Sequence, residues 1–133
     1  MANIEINQEE LQKYMQHPDN QPVVMINLLK FKNETEDGVD GAELYKCYKQ
    51  KAAELLKQVG GKLLWIGNSD QYIIGGDNDK WDEVLLAEYP SRAAFLKMIS
   101  LPEFEEVQKD RKASLNSTVL IASTTIDSAL HQK

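Results

Sequence analysis

The apolar positions of this chain change period several times, and each change marks an element. Over residues 22–31 the run PVVMINLLKF alternates between two apolar faces, with Val24, Ile26 and Leu28 on one and Val23, Met25, Asn27, Leu29 and Phe31 on the other. A strand that is apolar on both faces is expected to be covered on both. From about Gly41 to Val59 the period lengthens: Tyr45, Tyr48, Ala52, Leu55 and Val59 recur at threes and fours, one stripe of an amphipathic helix. Gly60-Gly61 then supplies a left-handed C-cap. KLLWIGN (62–68) and DEVLLAEY (82–89) read as strands, the first with Leu63, Trp65 and Gly67 on one face and Leu64 and Ile66 on the other. QYIIGG (71–76) is expected to prolong the first strand past a bend, with a turn from Gly75 to Lys80, and Pro90 ends the second because it cannot donate a ladder hydrogen bond.

Helix boundaries carry their own signals. Asn7 and Glu10 have capping-box spacing and Ile6 and Leu11 that of a hydrophobic staple, which predicts a short helix from about residue 8 to 16, ended by His17-Pro18. Ser91 is a good N-cap for a helix carrying Ala94, Phe95 and Met98. After a break at 100–103, Ser100 and Glu103 repeat the capping-box spacing and Ile99 and Phe104 the staple. The helix that follows places Phe104, Val107 and Arg111 on one stripe. A last strand is expected from about Thr118 to Thr125, with the tail 126–133 frayed.

After the first helix the order is strand, helix, strand, strand, helix pair, strand. Two such halves predict an α+β, ferredoxin-like βαββαβ fold: an antiparallel sheet with helices on one face, plus an extra N-terminal helix. One domain is expected over residues 1–133, with a core at about 18–125 and residues 1–17 as a helical extension. The face without helices is too apolar for water, and the expectation places Met25, Leu29, Phe31 and Trp65 on it. A second copy of the chain would cover it, giving a homodimer in which two sheets close into a barrel about a two-fold axis.

The segments PVVMINLLKFK (22–32), LYKCYKQKAAELLKQVGGKLLWIG (44–67), WDEVLLAEYPSRAAFLKM (81–98) and PEFEEVQKDRKASL (102–115) resemble the family known as domain of unknown function 1330. The likeness covers about residues 18 to 124, with its parts in the right order. It implies membership of the dimeric α/β-barrel superfamily of ferredoxin-like proteins. That superfamily includes cofactor-free monooxygenases, haem-degrading enzymes, isomerases of small lactones and ligand-sensing domains. The resemblance implies the fold and leaves the reaction open.

Charge narrows the partners. Fifteen Lys and Arg against 21 Asp and Glu leave a net charge of -6, which doubles on a dimer and argues against nucleic acid and anionic membranes. The longest apolar stretch, residues 23–29, is far short of the roughly 20 residues a bilayer requires, and no apolar run near the N-terminus suggests a signal peptide. The single cysteine, Cys47, excludes an intrachain disulfide and fits a reducing compartment, so the cytoplasm is expected.

Metal and cofactor chemistry find no ligand set. The two histidines, His17 and His131, are not expected on a core face, and Cys47 falls off the main helix stripe. Asp77-Asn78-Asp79 lacks the glycine and distal glutamate of a calcium loop, and no serine-nucleophile, P-loop or dinucleotide motif is present. The expectation is a protein without metal or cofactor.

Five residues stand out as candidate ligand contacts. Asn27 interrupts an apolar strand face, and a buried amide must find partners, either within the fold or on a ligand. Arg111 sits where its stripe calls for an apolar residue, so its guanidinium would hold a carboxylate ligand, pair with an acid or snorkel to the surface. Tyr45 and Tyr48 share the long helix stripe, with hydroxyls at the rim of the core or on a substrate. Trp65 would wall an aromatic pocket if its face turns to the barrel interior. Arg92, in the first turn of its helix, is expected at the surface, and Trp81 is expected to anchor packing. Three readings stay open: a cofactor-free enzyme of the monooxygenase or isomerase kind using an apolar pocket in the barrel, a non-catalytic binding or sensing domain, and a purely structural dimer.

Overall fold

The doubly apolar run forms β1 (Val23–Phe31) and takes an inner place in the sheet, paired on both edges. The structure, a computed structural model, describes residues 4–18, 21–36, 38–78 and 80–126. The other strands are β2 (Lys62–Asn68), β3 (Glu83–Tyr89) and β4 (Leu115–Ser123), and the sheet order is β2-β3-β1-β4. All three pairings are antiparallel. The helices are α1 (Gln8–Gln16), α2 (Gly41–Gln58), α3 (Arg92–Ser100) and α4 (Pro102–Ser114). This is the ferredoxin-like α+β arrangement, with α1 as the additional N-terminal helix.

Local chemistry sets most boundaries. The Asn7 side chain accepts from the Glu9 and Glu10 amides and starts α1, while the Glu10 carboxylate pairs with Lys13 instead of turning back to close a capping box. Gly60, at a φ of 80°, ends the α2 turn by donating to the Lys57 carbonyl, and Gly61 donates to that of Leu56. Ser91 caps the Ala94 amide. The capping box expected at Ser100 and Glu103 does not form. Leu101 is the extended N-cap of α4 and Pro102 opens the helix, while the Ser100 hydroxyl donates to the Leu96 carbonyl. Residues 71–76 do not prolong β2; instead the Tyr72 hydroxyl brackets the Trp81 backbone, and Ile73 and Ile74 stand in solvent. β4 begins at Leu115 rather than Thr118, because the Lys32 amide bonds the Ser114 carbonyl directly beyond the helix.

The core lies between the sheet and the helices. Val23, Met25 and Leu29 of β1 and Ala87 and Tyr89 of β3 pack under Tyr45, Ala52 and Leu55 of α2 and Phe95 and Met98 of α3. This corrects the expected assignment of faces. Met25, Leu29 and Phe31 share the face that turns to the helices, and Val24, Ile26 and Leu28 point the other way. Both faces of β1 are apolar, so its alternation could not say which one the helices would take.

Trp65 does stand on the open face. The register shifts between Leu63 and Trp65, which sets the indole opposite Leu86. Leu86 faces Ile26, and Ile26 faces Ile121, so one apolar row crosses every strand: Trp65, Leu86, Ile26, Ile121. The indole lies over Gly67, where any Cβ would collide with it.

Candidate functional site

The helix-side face carries a parallel row in which Ile66, Leu85, Asn27 and Leu120 stand in register across the sheet. The central amide is one end of a half-open cavity of about 620 Å³ bordered by α1, α2, α3, α4 and the sheet. Met25, Phe95, Met98, Phe104 and Leu120 supply apolar walls, Asn27, Tyr48, Arg111 and Thr118 supply polar groups on the sheet and inner helix faces, and the exposed side chains of Glu5, Glu10, Lys13 and His17 form a charged and polar rim.

Asn27 is oriented by its backbone neighbours. Its Nδ2 donates to the Met25 and Leu85 carbonyls, each at 3.3 Å. A flipped amide would set Oδ1 against those two carbonyl oxygens, so only one orientation satisfies the site. Among the described residues no donor reaches Oδ1. None of their buried side-chain polar atoms lacks a partner, so this oxygen is one that water or a ligand can reach.

Arg111 comes from the last turn of α4 and is only 9% exposed. Its Nη2 donates to Thr118 Oγ1 at 3.4 Å, and that hydroxyl passes its own proton to the Leu28 carbonyl at 2.8 Å. The guanidinium also lies near enough to the Tyr45 hydroxyl to act on it electrostatically. Among the described residues no carboxylate comes within ion-pair distance of it. Glu83, the acid near Tyr45, is taken by Lys49 at 3.1 Å. A buried cation without a counter-ion costs several kcal/mol of desolvation, so the site is electrostatically incomplete.

Two phenols, Tyr45 and Tyr48, lie near this charge, and a third, Tyr89, is buried beyond them. Burial pushes the Tyr45 hydroxyl up, with Tyr48 adding to the shift and Arg111 opposing it. Burial also pushes Tyr48 up, again against Arg111, and it pushes Tyr89 up. The Tyr48 ring packs 5.0 Å from that of Tyr45, and its hydroxyl makes no hydrogen bond to the described residues.

The structure thus brings Asn27, Tyr48 and Arg111 to one cavity. Tyr45 lies behind them, 1% exposed, with its ring between Phe31 and Tyr48. Trp65 does not join them; it is 54% exposed on the opposite face of the sheet. The pocket lies on the helix side of the sheet, not on the open side where a barrel interior would form. His17 is exposed at the rim of this cavity, and His131 lies outside the described residues. Among the described residues no group of three or more His, Cys, Asp or Glu is placed to hold a metal, and no helix is long and apolar enough to cross a membrane.

Sequence reasoning passed over Thr118, which holds the guanidinium, because a threonine opening a strand carries no distinguishing pattern. It also left Arg92 on the surface. Arg92 instead clasps Tyr14 of α1, its guanidinium 4.5 Å from the ring centroid, and this contact fixes the α1 wall of the cavity. The pair is separated by 78 positions, so no local signal announces it.

Residues 36–125 match the sequence model of a family described as domain of unknown function (DUF1330). The crystal structure of RPA0582, a protein of unknown function from Rhodopseudomonas palustris, is similar with a TM-score of 0.89 and 30% identity, covering 96% of this chain and 100% of that one. A hydroxynitrile lyase from Passiflora edulis aligns at a TM-score of 0.62 and 13% identity, over 82% of this chain and 97% of its own. SnoaB, a cofactor-independent oxygenase from Streptomyces nogalater, aligns at 0.57 and 13%, over the same 82% and 97%. The last two share the fold alone. Among curated proteins none matches this chain.

Proposed function

The chain belongs to the DUF1330 family, and from that premise we propose that it binds a small apolar anion in the cavity between its sheet and helices. The single observation that carries this reading is the buried Arg111 guanidinium in the cavity wall, which no carboxylate of the described residues pairs; the lining acids Glu5 and Glu10 are exposed and taken by Lys112 and Lys13. An anion at about 4 Å from such a cation gains about 4 kcal/mol at an effective dielectric of 20, before its own desolvation. Planar carboxylates suit the guanidinium fork best. Tyr48 orients the anionic end, and Phe95, Phe104 and the methionines receive the apolar body, along which Asn27 turns an acceptor oxygen.

Catalysis without a cofactor is the second reading, favoured by the same guanidinium. A cation held in a water-poor site stabilises an enolate or phenolate as it develops. SnoaB is a cofactor-independent oxygenase and the Passiflora protein a lyase, both on this fold at low identity. The Thr118 hydroxyl bonded to Arg111 and the neutral Tyr48 phenol are no ready base, and the acids of the lining, Glu5 and Glu10, stand at the exposed rim paired with lysines. That chemistry favours binding as the primary reading.

The functional unit in this reading is a homodimer in the cytoplasm. The row Trp65, Leu86, Ile26, Ile121 gives the sheet an apolar face that a second copy would cover, and one exposed free cysteine suits a reducing compartment. Calorimetric titration with phenylacetate and benzoate tests the site. Saturable binding in wild type that Arg111→Met abolishes is the expected result, and binding indifferent to that change overturns the assignment.

A further inference from the structure

We propose that the ligand of this cavity is a hydroxylated carboxylic acid, whose carboxylate meets Arg111 and whose hydroxyl donates to Asn27 Oδ1. The inference rests on the binding reading above and specifies its ligand. Arg111 offers only donors and a positive charge, so the group opposite it is an anionic acceptor. Asn27 offers the reverse. Both carbonyls below it take protons from Nδ2, so what it turns to the cavity is an oxygen without a donor. A plain carboxylic acid has no proton to give that oxygen at neutral pH.

The charge at the site decides what kind of donor fits. A protonated amine would place a second cation beside Arg111, so a neutral hydroxyl is the donor the cavity selects. Register sets the spacing. Asn27 stands opposite Leu120, while Arg111 is tied to Thr118, two positions earlier on β4 and opposite Leu29. Asn27 and Thr118 are therefore diagonal neighbours on one face, roughly 7–8 Å apart at the backbone. A hydroxyl and a carboxylate on well-separated carbons of a ring bridge that step, whereas adjacent groups bond each other instead. Tyr48, neutral and with no hydrogen-bond partner for its hydroxyl among the described residues, can donate to the carboxylate beside Arg111.

The test compares matched acids on the wild-type protein by calorimetry: benzoate with meta- and para-hydroxybenzoate, and phenylacetate with para-hydroxyphenylacetate. In at least one pair the hydroxylated acid is expected to bind about tenfold tighter than its parent. In Asn27→Leu that advantage disappears while the parent acid keeps its affinity within about threefold. Should the variant fail to fold, the wild-type pairs decide the matter alone. Equal affinity within every pair overturns the hydroxyl inference and leaves the anion site standing. A hydroxyl preference that survives in folded Asn27→Leu overturns the role given to Asn27. Failure of every acid to bind wild type removes the binding reading itself, and this inference with it.

Discussion

Tyr14 and Arg92 hold each other from both ends. The tyrosine hydroxyl donates to the Arg92 carbonyl at 3.0 Å, while the guanidinium lies over the ring and donates back to the Tyr14 carbonyl at 3.4 Å. Tyr14 is the one buried residue of α1, and its ring meets the edge of Phe95. A nine-residue helix does not persist alone in water, so this clasp keeps α1 in place as a cavity wall.

Tyr14→Ala is therefore expected to free α1 while the sheet stays folded. Hydrogen exchange at residues 8–16 should approach that of an unstructured peptide, with β1 and β3 still protected, and global stability should fall by about 2–3 kcal/mol. Tyr14→Phe, which keeps the ring and loses only the hydroxyl bond, should cost about 1 kcal/mol. Equal protection of α1 in wild type and Tyr14→Ala would show that other contacts hold it.

Arg111→Met should separate stability from binding. The methionine fills similar volume and removes a buried cation that has no counter-ion, so urea denaturation should show stability unchanged or higher by about 1 kcal/mol. Acid binding should be lost in the same protein. A large loss of stability would mean that the guanidinium is held for the fold.

Interruption of the open-face row should affect assembly before folding. Trp65→Glu and Ile121→Lys change residues already exposed in the single chain, so each should leave the fold intact by circular dichroism. Each change occurs twice across a two-fold axis, and dimer dissociation should rise by at least about 30-fold. Sedimentation of the wild type as a monomer would disprove the dimer.

Alkaline pH should unfold the protein through its tyrosines. Burial raises the phenols of Tyr45, Tyr48 and Tyr89 above their ordinary 10.0. The unfolded chain thus releases these protons first, so their contribution is complete below pH 10.0 and is lost as the pH rises above it. Each phenol should cost about 1.4 kcal/mol per pH unit in that range. In the native protein, two of the five tyrosines, Tyr45 and Tyr89, should be silent in a phenolate absorbance titration at about pH 11, and Tyr48 should ionise later than an ordinary phenol.

Gly41→Ala should destabilise by about 1–3 kcal/mol or more. Gly41 donates its amide to the Lys32 carbonyl, and any Cβ there would press on the backbone oxygens of Lys32 and Ser114. Thermal denaturation measures the loss, and an unchanged melting temperature would show that α2 can shift its first turn.

Much of the fold was legible because its signals are local. Asn7, Ser91 and Gly60-Gly61 bound their helices through hydrogen bonds to neighbours a few residues away, which a sequence can display. The stripe Tyr45, Tyr48, Ala52, Leu55 and Val59 faces inward as its period requires. Ser100 and Glu103 misled because spacing alone cannot show that Pro102, one residue earlier, would open the helix instead. QYIIGG misled because β-branched residues suit a strand only where a partner strand exists, and here none lies alongside.

The candidate site was half legible. Asn27 and Arg111 announced themselves as polar residues on apolar stripes, and both face the cavity. Trp65 carried the same aromatic signal and faces away, because a register shift in β2, invisible to composition, decides its side. By itself the sequence determined the period of each element, and from that the order of strands and helices, since periodicity is a property of neighbouring residues. Only the tertiary structure decided which apolar face of β1 the helices would cover. Only it left Arg111 without an acid and Asn27 Oδ1 without a donor among the described residues. Those facts depend on residues far apart in the chain, and no local pattern encodes the absence of a distant partner.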